Sequence, residues 1–166
     1  MQRRLSETTV GPSTLRGQGA GGMIAAARMH LYTLNLACFA DPDTFGHQLD
    51  LETAALLRRF PKGGKSWGGA RKVLNLFLRE VLYNRFIFEA YDFRSVESLM
   101  EVPLDNHVAL RLRKEPEGQR LARWPRLIRL TPQVSDQYQE VALAVAERRK
   151  LARVHLDLIY WRNADA

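Results

Sequence analysis

One segment constrains the fold of this chain more than any other: ARKVLNLFLREVLYNRFIFEAY, at about residues 70–90, has the pattern of a helix that is apolar nearly all round. Its apolar positions are Val73, Leu74, Phe77, Leu78, Val81, Leu82 and Phe86. A helix that lacks a broad polar face has to be covered by other elements, so it belongs inside a core. The sequence therefore predicts a domain built around this helix.

Helical periodicity also recurs in the rest of the chain, whereas no run alternates as a strand would. Further helices are predicted over about 22–38, over 51–60 with Asp50 as cap, over 94–100, from Asn106 onward after Asp105, from Thr131-Pro132 to about 150, and over 152–162. A chain of 166 residues suffices for one well-formed core. The prediction is an all-α, compact single domain over 1–166, whose residues 1–21 form a polar, glycine-rich lead-in.

The charge is strongly positive and points to a polyanionic partner. Lys and Arg number 25 against 18 Asp and Glu, which gives a net charge of +7 and a pI near 10.0. Such a balance favours contact with phosphates, although many basic proteins bind no specific partner. The densest basic cluster comprises Arg111, Arg113, Lys114, Arg120, Arg123, Arg126 and Arg129. This cluster is either a phosphate-contacting edge or a solvated face. From residue 120 to 129 every third residue is an arginine, a spacing that would put several of them on one side of a helix, although Pro125 interrupts such a helix.

Several classes of protein are disfavoured. Cys38 is the single cysteine, and the four histidines lie far apart, so neither a disulfide nor a metal site is expected. No phosphate-binding loop or dinucleotide fingerprint occurs, so no cofactor is predicted. The basic start has no apolar run after it, and Arg28 and His30 interrupt the longest apolar stretch. A cytoplasmic protein without a membrane span is expected.

The segment MEVPLDNHVALRL carries the most information about function. An Asp directly before an apolar helix, followed by His and Val, resembles the Asp-x-His-Val segment of the helix-hairpin-helix DNA glycosylase superfamily. In that superfamily the Asp lies at a helix N-terminus and faces the sugar of the damaged nucleotide. The matching residues are Asp105, His107 and Val108. The simpler interpretation is that Asp105 only caps the next helix.

Two more segments extend the resemblance over about residues 11–162. GPSTLRGQGAGGMIAAAR is similar to the entrance of the first glycosylase helix, where Gln18, with Arg16 near it, would lie close to DNA. ARKVLNLFL followed by EVPLD resembles the archaeal 8-oxoguanine glycosylase branch, in which a Lys begins a long helix and an Asp follows later. Lys72, 33 residues before Asp105, matches that Lys. The Leu-Pro-Gly-Val-Gly hairpin of most lysine-bearing members is absent, as in the archaeal branch.

The resemblance implies a chemistry for this pair. Lys72 would be the nucleophile that attacks the anomeric carbon and displaces the base, and Asp105 would stabilise the positive charge on the sugar. Burial beside Leu76 and the neighbouring charge of Arg71 are expected to favour the neutral amine. The alternative is that Lys72 is a solvated lysine near a helix start.

Other residues are secondary candidates for binding DNA or the extruded base. Asp157 and Trp161 are one turn apart, and Trp161 could stack on a flipped base, although packing is the commoner role of an aromatic residue. Trp67 has the same two interpretations, and His107 is expected to line the Asp105 site. The proposed phosphate contacts are Arg120, Arg123 and Arg126.

The sequence thus predicts a DNA repair glycosylase, with or without AP lyase activity, that removes an oxidised or damaged base such as 8-oxoguanine. Its partner would be damaged, double-stranded DNA, and it would need no metal, cofactor or obligate protein partner. Two alternatives stay open: a non-catalytic DNA-binding relative of the glycosylases, and a helical protein-interaction module.

Overall fold

The computed structural model describes residues 1–17, 21–64 and 66–162, and every regular element among them is helical. The α-helices are α1 (Gln2–Thr9), α2 (Met23–Thr33), α3 (Phe45–Arg59), α4 (Trp67–Tyr83), α5 (Arg85–Tyr91), α6 (Asn106–Leu112), α7 (Pro132–Arg148) and α8 (Leu156–Arg162). Short 3-10 helices cover Leu36–Phe39, Phe93–Leu99, Pro116–Gly118, Leu127–Arg129 and Arg153–His155. The all-α, single-domain prediction is confirmed. No helix in the described ranges has the length and apolar character to cross a membrane.

Helix α4 is the central helix that the apolar pattern predicted. Its start is set by Ser66, whose hydroxyl accepts a hydrogen bond from the Gly69 N–H at 3.0 Å. Val73, Phe77 and Val81 are fully buried along its length. The core position of the helix is therefore confirmed.

The predicted end of this helix at about residue 90 is wrong. The chain leaves α4 at Asn84, whose side chain caps α5 by accepting a hydrogen bond from the Ile87 N–H at 3.2 Å. Because α5 starts in a new direction, Phe86 is 70% exposed instead of lying in the core. The single long helix that the sequence predicted is therefore two helices, α4 and α5, in the structure.

Three other boundaries differ from the prediction. The glycine-rich lead-in contains a helix, α1, which buries Ser6 and is followed by the buried Val10. Helix α3 begins at Phe45, so Asp50 lies within it and is not a cap. Helix α2 ends at Thr33, short of the expected residue 38.

The buried apolar side chains form two clusters; the buried apolar residues of α4 belong to the first, and Trp67 at the start of α4 packs against the second. The first cluster joins residues of α2 to α5 and of the segment 93–100, together with Val10, Leu15 and Val154. The second joins the segment 102–112 and the 124–130 region to α7 and α8. The predicted caps of α6 and α7 are confirmed: Asp105 accepts from the Val108 N–H, and Thr131 accepts from the Val134 N–H before Pro132. Residues that lie on the boundary between the two clusters are thus brought together from distant parts of the chain.

Candidate active site

Lys72 and Asp105 form an ion pair between α4 and α6. The Lys72 Nζ lies 3.3 Å from the Asp105 Oδ2, and both side chains are largely buried, with 11% and 21% of their surface exposed. The Asp105 Oδ1 meanwhile accepts the capping hydrogen bond from the Val108 N–H at 3.0 Å. One carboxylate therefore both caps α6 and holds the amine, so the two interpretations of Asp105 are compatible. Lys72 is not a solvated lysine.

The pair lies in a cleft that we call the Lys72 cleft, formed by two cavities of about 480 and 440 Å³ that have wall residues in common. Both are lined by Ser13, Thr14, Arg16, Lys72 and Asp105. The first is also lined by Gly17, Asn106, His107, Arg126, Leu127 and Ile128. The second is also lined by Thr9, Leu76, Arg79, Pro103, Asp157, Leu158 and Trp161. The cleft is large enough for a nucleoside-sized group.

Asp157 is a buried carboxylate in the wall of this cleft. It forms an ion pair with Arg79, which also binds Glu80. Burial raises the pKa of the Asp157 carboxyl above its ordinary value; the charge of Arg79 lowers it, and that of Asp105 raises it again. Its Oδ1 has almost no solvent-accessible surface and no hydrogen-bond partner of good geometry among the described residues, while the Trp161 indole beside the carboxyl lowers its pKa. Asp157 is therefore a largely shielded carboxylate in the wall of the cleft.

Trp161 and His107 stack beside the cleft. Their ring centroids are 4.5 Å apart with an interplanar angle of 24°. The His107 Nε2–H donates to the Tyr160 carbonyl oxygen at 3.0 Å, which fixes the imidazole ring against α8. Trp161 stays 55% exposed, so the indole still offers surface on which another flat group could stack.

The basic edge of the cleft contains two of the predicted arginines, Arg16 and Arg126. Arg126 has φ 70° and ψ 152°, a backbone conformation that is essentially reserved for glycine. Arg120 and Arg123 are exposed but do not line the cleft. Residues 121–126 are irregular, so the expectation that these arginines share one side of a helix is wrong.

Three other residues were expected at or beside the site: Trp67, Arg71 and Gln18. Trp67 is the first residue of α4 and packs against the second hydrophobic cluster, and it does not line the cleft. The Arg71 guanidinium does not act as a free charge next to Lys72, because it is paired with Glu101 and Asp50. Gln18 lies outside the described residues.

The structure also adds wall residues that sequence reasoning missed. Arg79 follows Lys72 by seven residues, which is two helical turns, so helical spacing alone could have placed it on the same face of α4. Ser13 and Thr14 come from the loop after α1, and no local pattern connects that loop with α4. The Thr14 hydroxyl stabilises this loop, since it donates to the Thr9 carbonyl oxygen and accepts from the Gly11 N–H, each at 3.1 Å.

Within the part of the chain that the structure describes, no group of His, Cys, Asp and Glu side chains is arranged to hold a metal ion. Comparison of the chain with protein-family models, with curated proteins and with solved structures found no match.

Proposed function

We propose that this chain is a DNA glycosylase with AP lyase activity, of the helix-hairpin-helix type, in which Lys72 is the nucleophile. The observation that carries the proposal is the buried Lys72–Asp105 pair, 3.3 Å apart, in a cleft with a basic edge. An amine beside a carboxylate in a partly closed site is the arrangement that covalent catalysis at a sugar carbon requires. The net charge of +7 supports DNA as the partner.

The reaction begins when the Lys72 ammonium loses one proton to solvent and the free Nζ lone pair attacks C1′ of the damaged nucleotide. The bond between C1′ and the base breaks, and its electron pair leaves with the base, which then takes up a proton. The Asp105 carboxylate faces the amine and stabilises the positive charge that develops on the sugar. Opening of the sugar ring then gives a Schiff base between Lys72 and C1′. Loss of a proton from C2′ and departure of the 3′ phosphate complete the lyase step.

The second cavity of the cleft, which is lined by Leu158 and Trp161, suits an extruded base. Leu158 and Trp161 provide apolar and aromatic surface, and Asp157 adds a carboxylate to the same wall. Base-flipping enzymes bind their target by stacking and by hydrogen bonds to the edge of the base. We therefore assign the base to the Asp157–Trp161 side and the flanking phosphates to the side of Arg16 and Arg126.

Borohydride trapping tests the proposal directly. Reduction of the Schiff base should link the protein covalently to DNA that holds an abasic site or an oxidised purine, and Lys72→Gln should abolish the link. Lys62→Gln, which alters an exposed lysine, is the matched control and should trap as the unaltered protein does. DNA affinity of Lys72→Gln should change little, because many phosphate contacts contribute to binding.

Three outcomes would overturn the proposal in different ways. If the unaltered protein traps no DNA across a panel of lesions but binds DNA in a salt-sensitive manner, it is a non-catalytic relative. If Lys72→Gln still traps, the nucleophile is another amine, and Lys65 is the next lysine to substitute. The absence of any DNA binding would favour the protein-interaction module.

A further inference from the structure

Arg71, the residue before the proposed nucleophile, makes a buried, two-point contact with Glu101. Its Nε donates to the Glu101 Oε2 at 2.9 Å, and its Nη2 donates to the Oε1 at 2.8 Å. The Asn75 side chain donates to the same Oε2 at 2.8 Å. Bidentate contacts between Arg and a carboxylate are geometrically specific, so Glu101 is held in one place on α4.

Glu101 begins the irregular segment that ends at Asp105. Residues 101–105 belong to no helix, so their backbone lacks the regular hydrogen bonds that would fix its course. Gln139 of α7 supports the next residue instead: the Val102 N–H donates to its Oε1 at 3.1 Å, and its Nε2 donates to the Val102 carbonyl at 2.8 Å. The segment is thus anchored by side chains from two helices.

Arg71 and Lys72 hold opposite ends of this segment from the same helix. Consecutive helical residues point about 100° apart, so the two side chains leave α4 in different directions. Arg71 binds Glu101 at the start of the segment, and Lys72 meets Asp105 at its end. Glu101 and Asp105 are only four residues apart, so a shift of Glu101 along α4 would strain the segment that sets the position of Asp105.

We propose that Arg71 and Glu101 are a positioning pair that sets the distance between Lys72 and Asp105. The effect of this pair on catalysis rests on the proposed function. Its effect on the distance between Lys72 and Asp105 can be tested whether or not the chain is a glycosylase. Neither residue lines the Lys72 cleft, so the pair acts through the segment and not on the substrate.

The charges of the pair suit a permanent contact. Burial alone would raise the pKa of Glu101, but the hydrogen bonds and charge of Arg71 outweigh it and keep that pKa below its ordinary range. The contact consequently persists across the neutral pH range. Arg71 also binds Asp50 of α3 through its Nη1 at 2.8 Å, and that carboxylate is 70% exposed and does not touch the segment.

The geometric test uses ¹³C reductive methylation, because the chain has only five lysines. The Lys72 signal is the one that disappears in Lys72→Gln, and Asp105→Asn should shift it. Glu101→Asp keeps the charge but shortens the side chain, and Arg71→Lys keeps the charge but loses the two-point contact while adding one signal. Both should shift the Lys72 signal as Asp105→Asn does. Asp50→Asn, the matched control, should leave it in place.

Folding is checked by thermal melting, and Glu101→Gln provides a further variant that is isosteric with the native residue. If Glu101→Asp, Glu101→Gln and Arg71→Lys all fold and leave the Lys72 signal unchanged while Asp105→Asn moves it, the positioning role is overturned. This result does not depend on catalysis, so it is distinct from a failure of the trapping experiment.

The kinetic test asks whether Glu101 acts through Asp105. Displacement of a catalytic group by about 1 Å costs on the order of 100-fold in rate, so Glu101→Asp should slow base release by about that factor with little change in DNA affinity. In an Asp105→Asn background, the same substitution should produce no further loss. Losses that multiply in the double variant would contradict the proposal, since independent damage to the fold would add to that at Asp105.

Discussion

The Asp105 carboxylate contacts the Lys72 amine through one oxygen, at 3.3 Å, and caps α6 through the other, at 3.0 Å from the Val108 N–H. The two contacts together fix the carboxylate relative to both α4 and α6. A residue that is held in this way is preorganised, so it can stabilise charge without rearranging during the reaction.

Asp105→Asn should separate the electrostatic role from the capping role. Asn is itself a good cap, so the free energy of unfolding should fall by less than about 1 kcal/mol. Base release in single-turnover measurements should slow by about 10²–10³-fold, which is typical for loss of one preorganised electrostatic group. Thr131→Ala is the control, because it removes the cap of α7 and should cost about 1 kcal/mol without a change in rate. A rate that is unaffected by Asp105→Asn would remove Asp105 from the mechanism.

Arg126→Gly should raise stability and weaken DNA binding at the same time. The native φ of 70° strains an arginine by about 1–3 kcal/mol, and glycine would relieve that strain at some cost in unfolded-state entropy. Chemical denaturation should show a net gain of about 1 kcal/mol. Loss of one phosphate contact should lower the salt dependence of DNA binding by about one unit of slope. Arg123→Gly, at a residue without positive φ, should give no gain in stability.

DNA affinity should fall steeply as salt rises from about 50 to 200 mM, because each phosphate contact releases counterions. Joint substitution of Arg120, Arg123 and Arg126 by Ala should weaken binding to all DNA sequences alike. Fluorescence anisotropy with unrelated duplexes measures both effects. Affinity that is constant over this range of salt would exclude an interface dominated by phosphates.

Gly68→Ala should destabilise the fold and disturb the basic edge of the cleft. An added Cβ would lie 2.3 Å from the Leu127 carbonyl oxygen and 2.7 Å from the Leu130 Cβ, so the turn next to Arg126 would have to move. We expect a loss of about 1–3 kcal/mol in unfolding free energy, as for other overpacked sites. Gly46→Ala in α3, where a Cβ meets nothing within 4 Å, should instead add up to about 1 kcal/mol. Equal effects of the two substitutions would contradict the close approach at Gly68.

The buried His30 should make the protein less stable in mild acid. Burial, together with the charge of Arg59, lowers the pKa of His30 to about 4, whereas an unfolded histidine titrates near 6.5. The unfolded chain therefore binds the extra proton first, and stability should decline as the pH falls from about 6.5 towards 4. This difference in pKa between the folded and unfolded chain corresponds to about 1–3 kcal/mol of stability. His30→Gln should flatten that part of the stability–pH curve, and substitution of the exposed His47 should not.

Local signals in the sequence predicted the helices and several of their starts. Asp105 and Thr131 were identified as caps because a cap bonds to an amide only three residues away. The same locality explains the wrong end of α4. Asn84 is acceptable inside a helix and equally good as a cap, and the apolar residues on both sides of it concealed the break.

The candidate site was predictable only in part. Lys72 and Asp105 were selected because they match short motifs, and helical spacing placed Asp157 and Trp161 on one face. That Trp67 packs away from the cleft, and that Arg71 points to Glu101 and not towards the nucleophile, depends on what surrounds α4. A helical pattern specifies which residues share a face but not what lies opposite each face.

The sequence by itself determined that the chain is helical and basic, and where several of its helices begin, because periodicity, composition and capping depend on residues close together in the chain. Only the tertiary structure decided that the Lys72 amine meets the Asp105 carboxylate, 33 residues further along the chain, within a cleft completed by the loop after α1 and by α8. The physical reason is that such contacts follow from how elements far apart in the chain pack into the two hydrophobic clusters, and no local pattern encodes that packing.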